Sequence, residues 1–190
     1  MRAWKHVVDS LVKEKSKFVF GLIAGPWEFW DYLSETDIQP ILVRHELSSV
    51  FMAMAHARLT SKPGICVNSQ GPGVANMFAG FLEAQTGCIP IIAPVPCSEM
   101  KTEGYGQFQE TEMVPSFKHV SKWAYRLTKQ EKIPWAMRRA FTVSQSGRPG
   151  PVFLEIPMDV GNEEYEPQGY KPAHVSRSRP DEKDVAEALH

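Results

Sequence analysis

The feature that most constrains this chain is the alternation of short apolar runs with segments whose apolar residues recur at helical spacing. The predicted strands are residues 17–22, 40–43, 64–67, 89–95, about 119–127 and 152–156. The predicted helices are residues 2–15, 27–33, 45–60, a segment around 77–82, and 131–146. Strands and helices that alternate in this way form parallel sheets covered on both faces. The sequence therefore predicts an α/β fold, a three-layer α/β/α domain with a doubly wound parallel sheet of about six strands.

Composition and charge narrow the class of protein. Of the 190 residues, 43% are hydrophobic and 23% are charged, the balance of a globular protein with a core of ordinary size. The 21 basic and 22 acidic residues form no block of one sign, so we expect no nucleic-acid partner. No run approaches the ~18 apolar residues of a membrane span, and no apolar signal core begins the chain. We therefore expect no membrane partner and a cytoplasmic location.

The pattern of predicted elements changes after residue 160. Residues 1–160 carry the alternating pattern and form the predicted domain. Residues 161–180 are rich in Pro, Gly, Glu, Arg and Ser, which is typical of a linker. A new helix is predicted from Asp181, which can cap it. We expect this tail, residues 161–190, to lead towards a further domain.

Two strand-to-helix junctions carry the residues of greatest chemical interest. Glu46 follows the apolar run 41–43, and the turn Gly71-Pro72-Gly73 follows the run 64–67. Functional groups of open parallel sheets collect at the carboxyl ends of the strands, so the two junctions are predicted to lie side by side. Taken alone, the acid is equally consistent with a helix-terminal carboxylate favoured by the macrodipole, and the glycine turn with an ordinary turn.

Other known site patterns do not fit these residues. His45-Glu46 could begin a zinc motif, but Ser49 occupies the place of the second histidine. The segment after Gly73 has Asn76 where a dinucleotide-binding loop has its last glycine, and the chain contains no Walker lysine motif. A flavodoxin-like nucleotide binder would rest on fold analogy alone. Three cysteines, all without metal-site spacing, are predicted to be buried or partly buried free thiols: Cys66, Cys88 and Cys97.

Several short motifs occur together in a fixed order. They are Arg44-His45-Glu46, Gly71-Pro72-Gly73 with Asn76, Phe108-Gln109-Glu110, and Gly147-Arg148-Pro149-Gly150-Pro151 with Ile156-Pro157 and Asp159-Val160. In order and spacing the set resembles the N-terminal pyrimidine-binding domain of thiamine-diphosphate enzymes. The resemblance is closest in style to the acetolactate synthase large subunit and its relatives, which include benzoylformate and oxalyl-coenzyme A decarboxylases. It covers roughly residues 1–160.

The resemblance implies a cofactor, a substrate class and roles for named residues. The cofactor would be thiamine diphosphate, and the substrate a small 2-oxo acid that is decarboxylated, with the product protonated or joined to a second carbonyl compound. Glu46 would be the carboxylic acid that exchanges a proton with the aminopyrimidine and favours its reactive tautomer. Pro72 and Asn76 match positions against the thiamine ring system. Gln109, with Phe108, matches positions near the cofactor and the substrate.

The resemblance also implies a partner. In this family the diphosphate and its Mg²⁺ are held by a second domain through a Gly-Asp-Gly…Asn segment, which this chain lacks. We therefore expect a homo-oligomer or a hetero-oligomer in which another domain or subunit completes the site. The chain would be either the front part of a longer enzyme or one subunit of a two-chain enzyme such as sulfopyruvate decarboxylase. The alternative from another class is a non-catalytic scaffold or regulatory subunit.

Two departures from the family pattern bear on the substrate. Relatives that resemble acetolactate synthase carry a Pro-Gly-Gly turn after the first strand, where this chain has Leu22-Ile23-Ala24-Gly25-Pro26. The adjacent histidine pair of several 2-oxo acid decarboxylases is also missing. The resemblance therefore leaves open which 2-oxo acid, or activated acid of similar shape, is the substrate.

Overall fold

A computed structural model of the chain describes residues 2–166, 169–176 and 180–189. Its strands are Phe18–Gly21 (β1), Gln39–Leu42 (β2), Gly64–Val67 (β3), Ile91–Cys97 (β4), Trp123–Arg126 (β5) and Val152–Pro157 (β6). They form one sheet in the order β2-β1-β3-β4-β6-β5, and every neighbouring pair is parallel. The predicted doubly wound parallel sheet is therefore confirmed.

Most of the helices lie between strands along the chain, with the first before β1 and the last two after β6. They are Ala3–Lys13 (α1), Trp27–Ser34 (α2), Glu46–Thr60 (α3), Pro72–Ala75 (α4), Phe78–Thr86 (α5), Val114–Phe117 (α6), Ile133–Gln145 (α7), Met158–Asn162 (α8) and Glu182–Ala188 (α9). Short 3₁₀ turns occur at Met100–Thr102 and Gln130–Lys132.

Two apolar cores lie on opposite faces of the sheet. Helices α1, α2 and α7 pack on one face, where Trp4, Phe29 and Leu154 are fully buried. Helices α3, α5 and α6 pack on the other, where Phe81 and Phe153 are fully buried. Successive residues of β6 alternate between the two cores, as side chains of a strand must. A sheet covered on both faces explains why β3, β4 and β6 have apolar residues at nearly every position.

The structure corrects several predicted boundaries. The fifth strand begins at Trp123 rather than near residue 119, because Ser121 Oγ and the Val120 amide both donate to Phe117 O and close a turn after α6. Helix α7 begins at Ile133 instead of residue 131, with a proline in its first turn where no amide donor is needed. The helix predicted around residues 77–82 is α5, whereas the short helices α4 and α8 were not predicted.

Several large apolar side chains of α3 and α5 lie outside the cores. On α3 the buried positions include Ser49, Ala53 and Ala57, whereas Phe51 is exposed. On α5, Phe81 is buried but Leu82 is exposed. Small residues are buried where α3 lies directly against β3, since a Cβ on Gly64 would lie 2.1 Å from Ala53 O. The large side chains are left on an outer surface.

Part of the predicted linker packs on the domain. Glu14 Oε1 accepts hydrogen bonds from Tyr170 OH at 2.5 Å and from the Ala173 amide at 2.6 Å. The buried His6 ring lies 2.9 Å from Tyr165 O. Helix α9 buries none of its residues, and Asp181 caps it as predicted. Residues 167–168 and 177–179 of the predicted linker lie outside the described residues.

Candidate active site

The predicted site residues follow three strands that share one edge of the sheet. Glu46 is the first residue of α3, shortly after β2. The Gly71-Pro72-Gly73 turn follows β3, and Phe108 with Gln109 lies in the loop after β4. Because the strands are parallel, their carboxyl ends lie at the same edge. The fold therefore brings these segments together.

Glu46 is held at the amino-terminal end of α3. His45 is the N-cap in extended conformation, and its Nδ1 accepts a hydrogen bond of 3.2 Å from the Leu47 amide. The helix therefore begins at Glu46. The Glu46 side chain is half-buried, and its Oε2 accepts a hydrogen bond of 2.9 Å from Asn76 Nδ2. Two of the predicted site residues are thus in direct contact.

The two glycines of the turn permit close approaches on both sides of Pro72. Gly71 has φ +58° and ψ −117°, and a Cβ there would lie 2.7 Å from Gln109 O. A Cβ on Gly73 would lie 2.2 Å from Ser69 Oγ and 3.2 Å from Glu46 Oε1. The turn therefore touches the Gln109 loop on one side and the Glu46 carboxylate on the other.

The loop that carries Phe108 and Gln109 is fastened to this turn. Gln70 Nε2 donates a hydrogen bond of 2.7 Å to Phe108 O, and Gln109 has φ +53°. Gln109 is half-buried, whereas the Phe108 side chain is 80% exposed and Pro72 is exposed. The backbone of Phe108 and of Gln109 thus lies beside the glycine turn, whereas the Phe108 ring is exposed to solvent.

Internal hydrogen bonds order the rest of the loop. The side-chain amide of Gln107 makes two hydrogen bonds to the backbone of Glu99. Its Oε1 accepts from the Glu99 amide at 3.2 Å, and its Nε2 donates to the Glu99 carbonyl at 2.9 Å. The Glu110 carboxylate accepts from the Gly104 and Gln107 amides, which hold its pKa below the ordinary value. Loops of this length are commonly functional or disordered, and these hydrogen bonds hold this one in a defined conformation.

A buried carboxyl anchors the far end of this loop. Glu155 on β6 is 1% exposed, and the Met113 amide donates a hydrogen bond of 3.1 Å to its Oε1. Burial raises the pKa of Glu155 to about 7, although the nearby Arg126 guanidinium opposes the shift. Sequence reasoning missed this residue. The available signal was a single acid inside the otherwise apolar run of β6.

Two further buried polar residues were also missed. Asn68, at the end of β3, donates from Nδ2 to Ser49 Oγ at 2.7 Å and accepts from the Leu22 amide at 3.1 Å. Ser49 Oγ in turn donates to Glu46 O at 2.7 Å. Asn68 and Ser49 are both fully buried. In the sequence, Ser49 stood out only as the residue in place of a zinc-motif histidine, and the signal for Asn68 was a polar residue directly after an apolar strand.

The family assignment follows from comparison with known proteins. The sequence profile described as "Thiamine pyrophosphate enzyme, N-terminal TPP binding domain" matches residues 1–116, more than half of the chain. The chain belongs to this family. The predicted resemblance is therefore confirmed, and the acidic junction and glycine turn lie within the matched region.

The similar proteins in this thiamine pyrophosphate (thiamine diphosphate) family include acetolactate synthases and their large subunits. The chain is 33% identical to the probable acetolactate synthase large subunit of Methanocaldococcus jannaschii, over 92% of this chain and 30% of the relative. It is 36% identical to the acetolactate synthase large subunit of Haemophilus influenzae, over 82% of this chain and 28% of the relative. A third relative is acetolactate synthase 2, chloroplastic, of Nicotiana tabacum, 35% identical over 81% and 24%. The chain spans about a third or less of these proteins.

The residues at this edge fit the pyrimidine end of thiamine diphosphate. A carboxylate and an amide lie together beside a turn that carries no Cβ where Glu46 approaches it.

Across the residues that the structure describes, no group of three or more His, Cys, Asp or Glu side chains could hold a metal ion. In residues 2–166, 169–176 and 180–189, no helix is both long and apolar enough to cross a membrane.

The site is an open surface and not an enclosed cavity. Asn76, Pro72 and Phe108 are exposed beside the half-buried Glu46. A groove of about 820 Å³ exists elsewhere, lined by residues that include Cys88, Pro90 and Gly147, which precede strands rather than follow them. That groove therefore lies at the opposite edge of the sheet from Glu46 and is separate from the candidate site.

Proposed function

We propose that this chain is the pyrimidine-binding half of a thiamine-diphosphate-dependent 2-oxo acid decarboxylase or carboligase of the acetolactate synthase type. The family match and the named relatives support the reaction class. The observation that carries the proposal is the contact between Asn76 and Glu46 beside the glycine turn. A scaffold domain has no need of this set of residues.

Each residue of this edge has a role in the proposed reaction. When bound, thiamine diphosphate supplies a nucleophilic carbon, C2 of its thiazolium ring. Glu46 would hold and exchange a proton at N1′ of the aminopyrimidine, a general acid–base function. Asn76 would orient the Glu46 carboxylate by donating to Oε2. Gly73 would leave room for that carboxylate at the turn.

The loop after β4 would face the substrate. Gln109 is held against Gly71, and Phe108 is held through its carbonyl by Gln70. This fastening positions an amide side chain and an exposed aromatic ring beside the pyrimidine site. We propose that Gln109 donates to the cofactor or the 2-oxo acid and that Phe108 excludes water from the reacting carbon.

A second domain would complete the site. We propose that the diphosphate and Mg²⁺ are bound by another domain or subunit, in a homo-oligomer or a hetero-oligomer. Exposed apolar side chains of β2, α3 and α5 support such a contact, since large apolar patches mark interaction surfaces. They are Leu42, Phe51, Met52, Phe78 and Leu82, each between 37% and 62% exposed.

Substitution of Glu46 tests the proposal directly. In the assembled enzyme, we expect Glu46→Gln to slow exchange of the C2 proton of thiamine diphosphate by about 100-fold or more, measured by NMR. Thermal unfolding should be nearly unchanged, because the side chain is half-buried and Gln has a similar shape. Glu83→Gln, at an exposed position of α5, is the matched control and should exchange at the wild-type rate. Full exchange in Glu46→Gln would overturn the catalytic role and favour the scaffold.

A further inference from the structure

A chain of buried hydrogen bonds connects three segments at the site edge. It runs from the Leu22 amide to Asn68 Oδ1, from Asn68 Nδ2 to Ser49 Oγ, and from Ser49 Oγ to Glu46 O. The three bonds measure 3.1, 2.7 and 2.7 Å. It therefore joins the loop after β1, the end of β3 and the first turn of α3.

The direction of these bonds makes Asn68 the residue that fixes the others. A serine hydroxyl has one proton to donate, and Ser49 gives it to Glu46 O. The lone pairs of Ser49 Oγ can then accept from Asn68 Nδ2, which holds the hydroxyl in that orientation. Because Asn68 and Ser49 have no exposed surface, solvent cannot replace a lost partner without a rearrangement.

The Glu46 carbonyl and carboxylate belong to the same residue, so a shift of one moves the other. The carboxylate must stay within reach of Asn76 Nδ2 and clear of Gly73. Without the Ser49 hydroxyl, the first turn of α3 loses its hydrogen-bonded link to Asn68 at the end of β3 and can shift relative to that strand. Displacement of a reacting group by about 1 Å can cost up to about 100-fold in rate.

We propose that Asn68 is a positioning residue for Glu46 and acts on it through Ser49. The inference rests on the proposed function, since it assumes that Glu46 exchanges the cofactor proton. In the proposed site, Asn68 touches neither the cofactor nor the reacting atoms. It fixes the position of Glu46, which does.

Two substitutions break the connection at different points. Asn68→Asp keeps an acceptor for the Leu22 amide, but an ionised carboxylate cannot donate to Ser49. Ser49→Ala removes the hydroxyl and leaves the bond between Asn68 and Leu22 intact. Ser48→Ala, at the exposed neighbouring position of α3, is the matched control.

The experiment separates positioning from a purely structural role by using three readouts on the assembled enzyme. We expect Asn68→Asp and Ser49→Ala each to slow exchange of the cofactor C2 proton by about 10- to 100-fold. The Kd for thiamine diphosphate should change less than about 3-fold, because the diphosphate would be held elsewhere. Hydrogen exchange of the Leu22 amide should stay slow in Ser49→Ala. The double variant should exchange C2 no more slowly than the slower single variant.

Every outcome bears on the proposal. Wild-type C2 exchange in Ser49→Ala would overturn it, even if the buried acid prevents Asn68→Asp from folding. Equal losses of cofactor affinity and exchange rate, with faster Leu22 exchange in Ser49→Ala, would show a structural role instead. Glu46→Gln in the same series distinguishes the two proposals. If it exchanges normally, the proposed function fails; if it is slow while Ser49→Ala is normal, only the positioning role fails.

Discussion

Asn76 Nδ2 donates a hydrogen bond of 2.9 Å to Glu46 Oε2, although the two residues lie 30 positions apart in the sequence. Asn76 ends α4, whose first residue is Pro72, and Glu46 begins α3. The glycine turn and the acid are therefore one unit, in which the position of the turn determines the orientation of the carboxylate. Changes in the turn should act on Glu46 even where they leave it chemically intact.

Asn76 should matter through its donor and not through its size. Asn76→Asp has nearly the same shape but places a second carboxylate beside Glu46 Oε2. We expect C2 proton exchange in the assembled enzyme to fall by about 10-fold in Asn76→Ala, and further in Asn76→Asp at neutral pH. NMR of thiamine diphosphate measures the rate.

The ranking of the two Asn76 variants is the decisive result. Asn76 is exposed, so neither Asn76→Ala nor Asn76→Asp should lower the free energy of unfolding by more than about 0.5 kcal/mol. If Asn76→Asp exchanged as fast as the wild type, the amide donor would have no part in orienting Glu46.

Gly71 should be sensitive to a methyl group for two reasons, and Gly147 for one. Both have positive φ, +58° and +57°, but a Cβ would collide with Gln109 O only at Gly71. We expect Gly147→Ala to lower the free energy of unfolding by about 1–2 kcal/mol from backbone strain. Gly71→Ala should lose at least about 1 kcal/mol more, because the Gln109 loop must move and because ψ −117° places Gly71 outside the left-handed region. Urea unfolding measures the difference, and equal losses would show that the contact with Gln109 yields without cost.

The fold was largely predictable because its strongest signals are local. Strands β3 and β6 lie between two layers of helices, so their apolar runs mark them clearly, and β3 was predicted at its observed bounds. Val120 shows why β5 was placed too early. Its burial arises from a turn after α6 and not from a strand, and an apolar run does not distinguish the two.

The candidate site could be predicted only for residues that directly follow strands, because the ends of parallel strands lie at one edge of the sheet. Glu46 and the glycine turn follow β2 and β3, which only β1 separates in the parallel sheet, and their position after strands was enough to place them together. The bond between Asn68 and Ser49 depends on how α3 lies across β1 and β3, and no local pattern encodes that placement. Glu155 escaped notice for the same reason, since its partner Met113 lies 42 residues earlier.

Glu155 also makes the stability of the fold depend on pH. Burial raises its pKa from the ordinary value of 4.5 to about 7 in the folded chain, with Glu112 adding to the shift and Arg126 opposing it. Between these values the folded state binds a proton that the unfolded state has lost. The contribution of protonated Glu155 to the stability of the folded chain is therefore complete below about pH 4.5 and is lost as the pH rises through about 7.

Glu155→Gln should remove this dependence, because an amide stays neutral at every pH. We expect the free energy of unfolding of the wild type to fall, relative to that of Glu155→Gln, by on the order of 1–3 kcal/mol between about pH 5 and pH 9. Urea unfolding across that range measures it. Glu110→Gln is the control with the opposite sign, because backbone amides lower the pKa of Glu110 and its contribution is lost only towards acid pH. Parallel pH profiles for Glu155→Gln and the wild type would mean that Glu155 ionises in the folded chain as freely as in water.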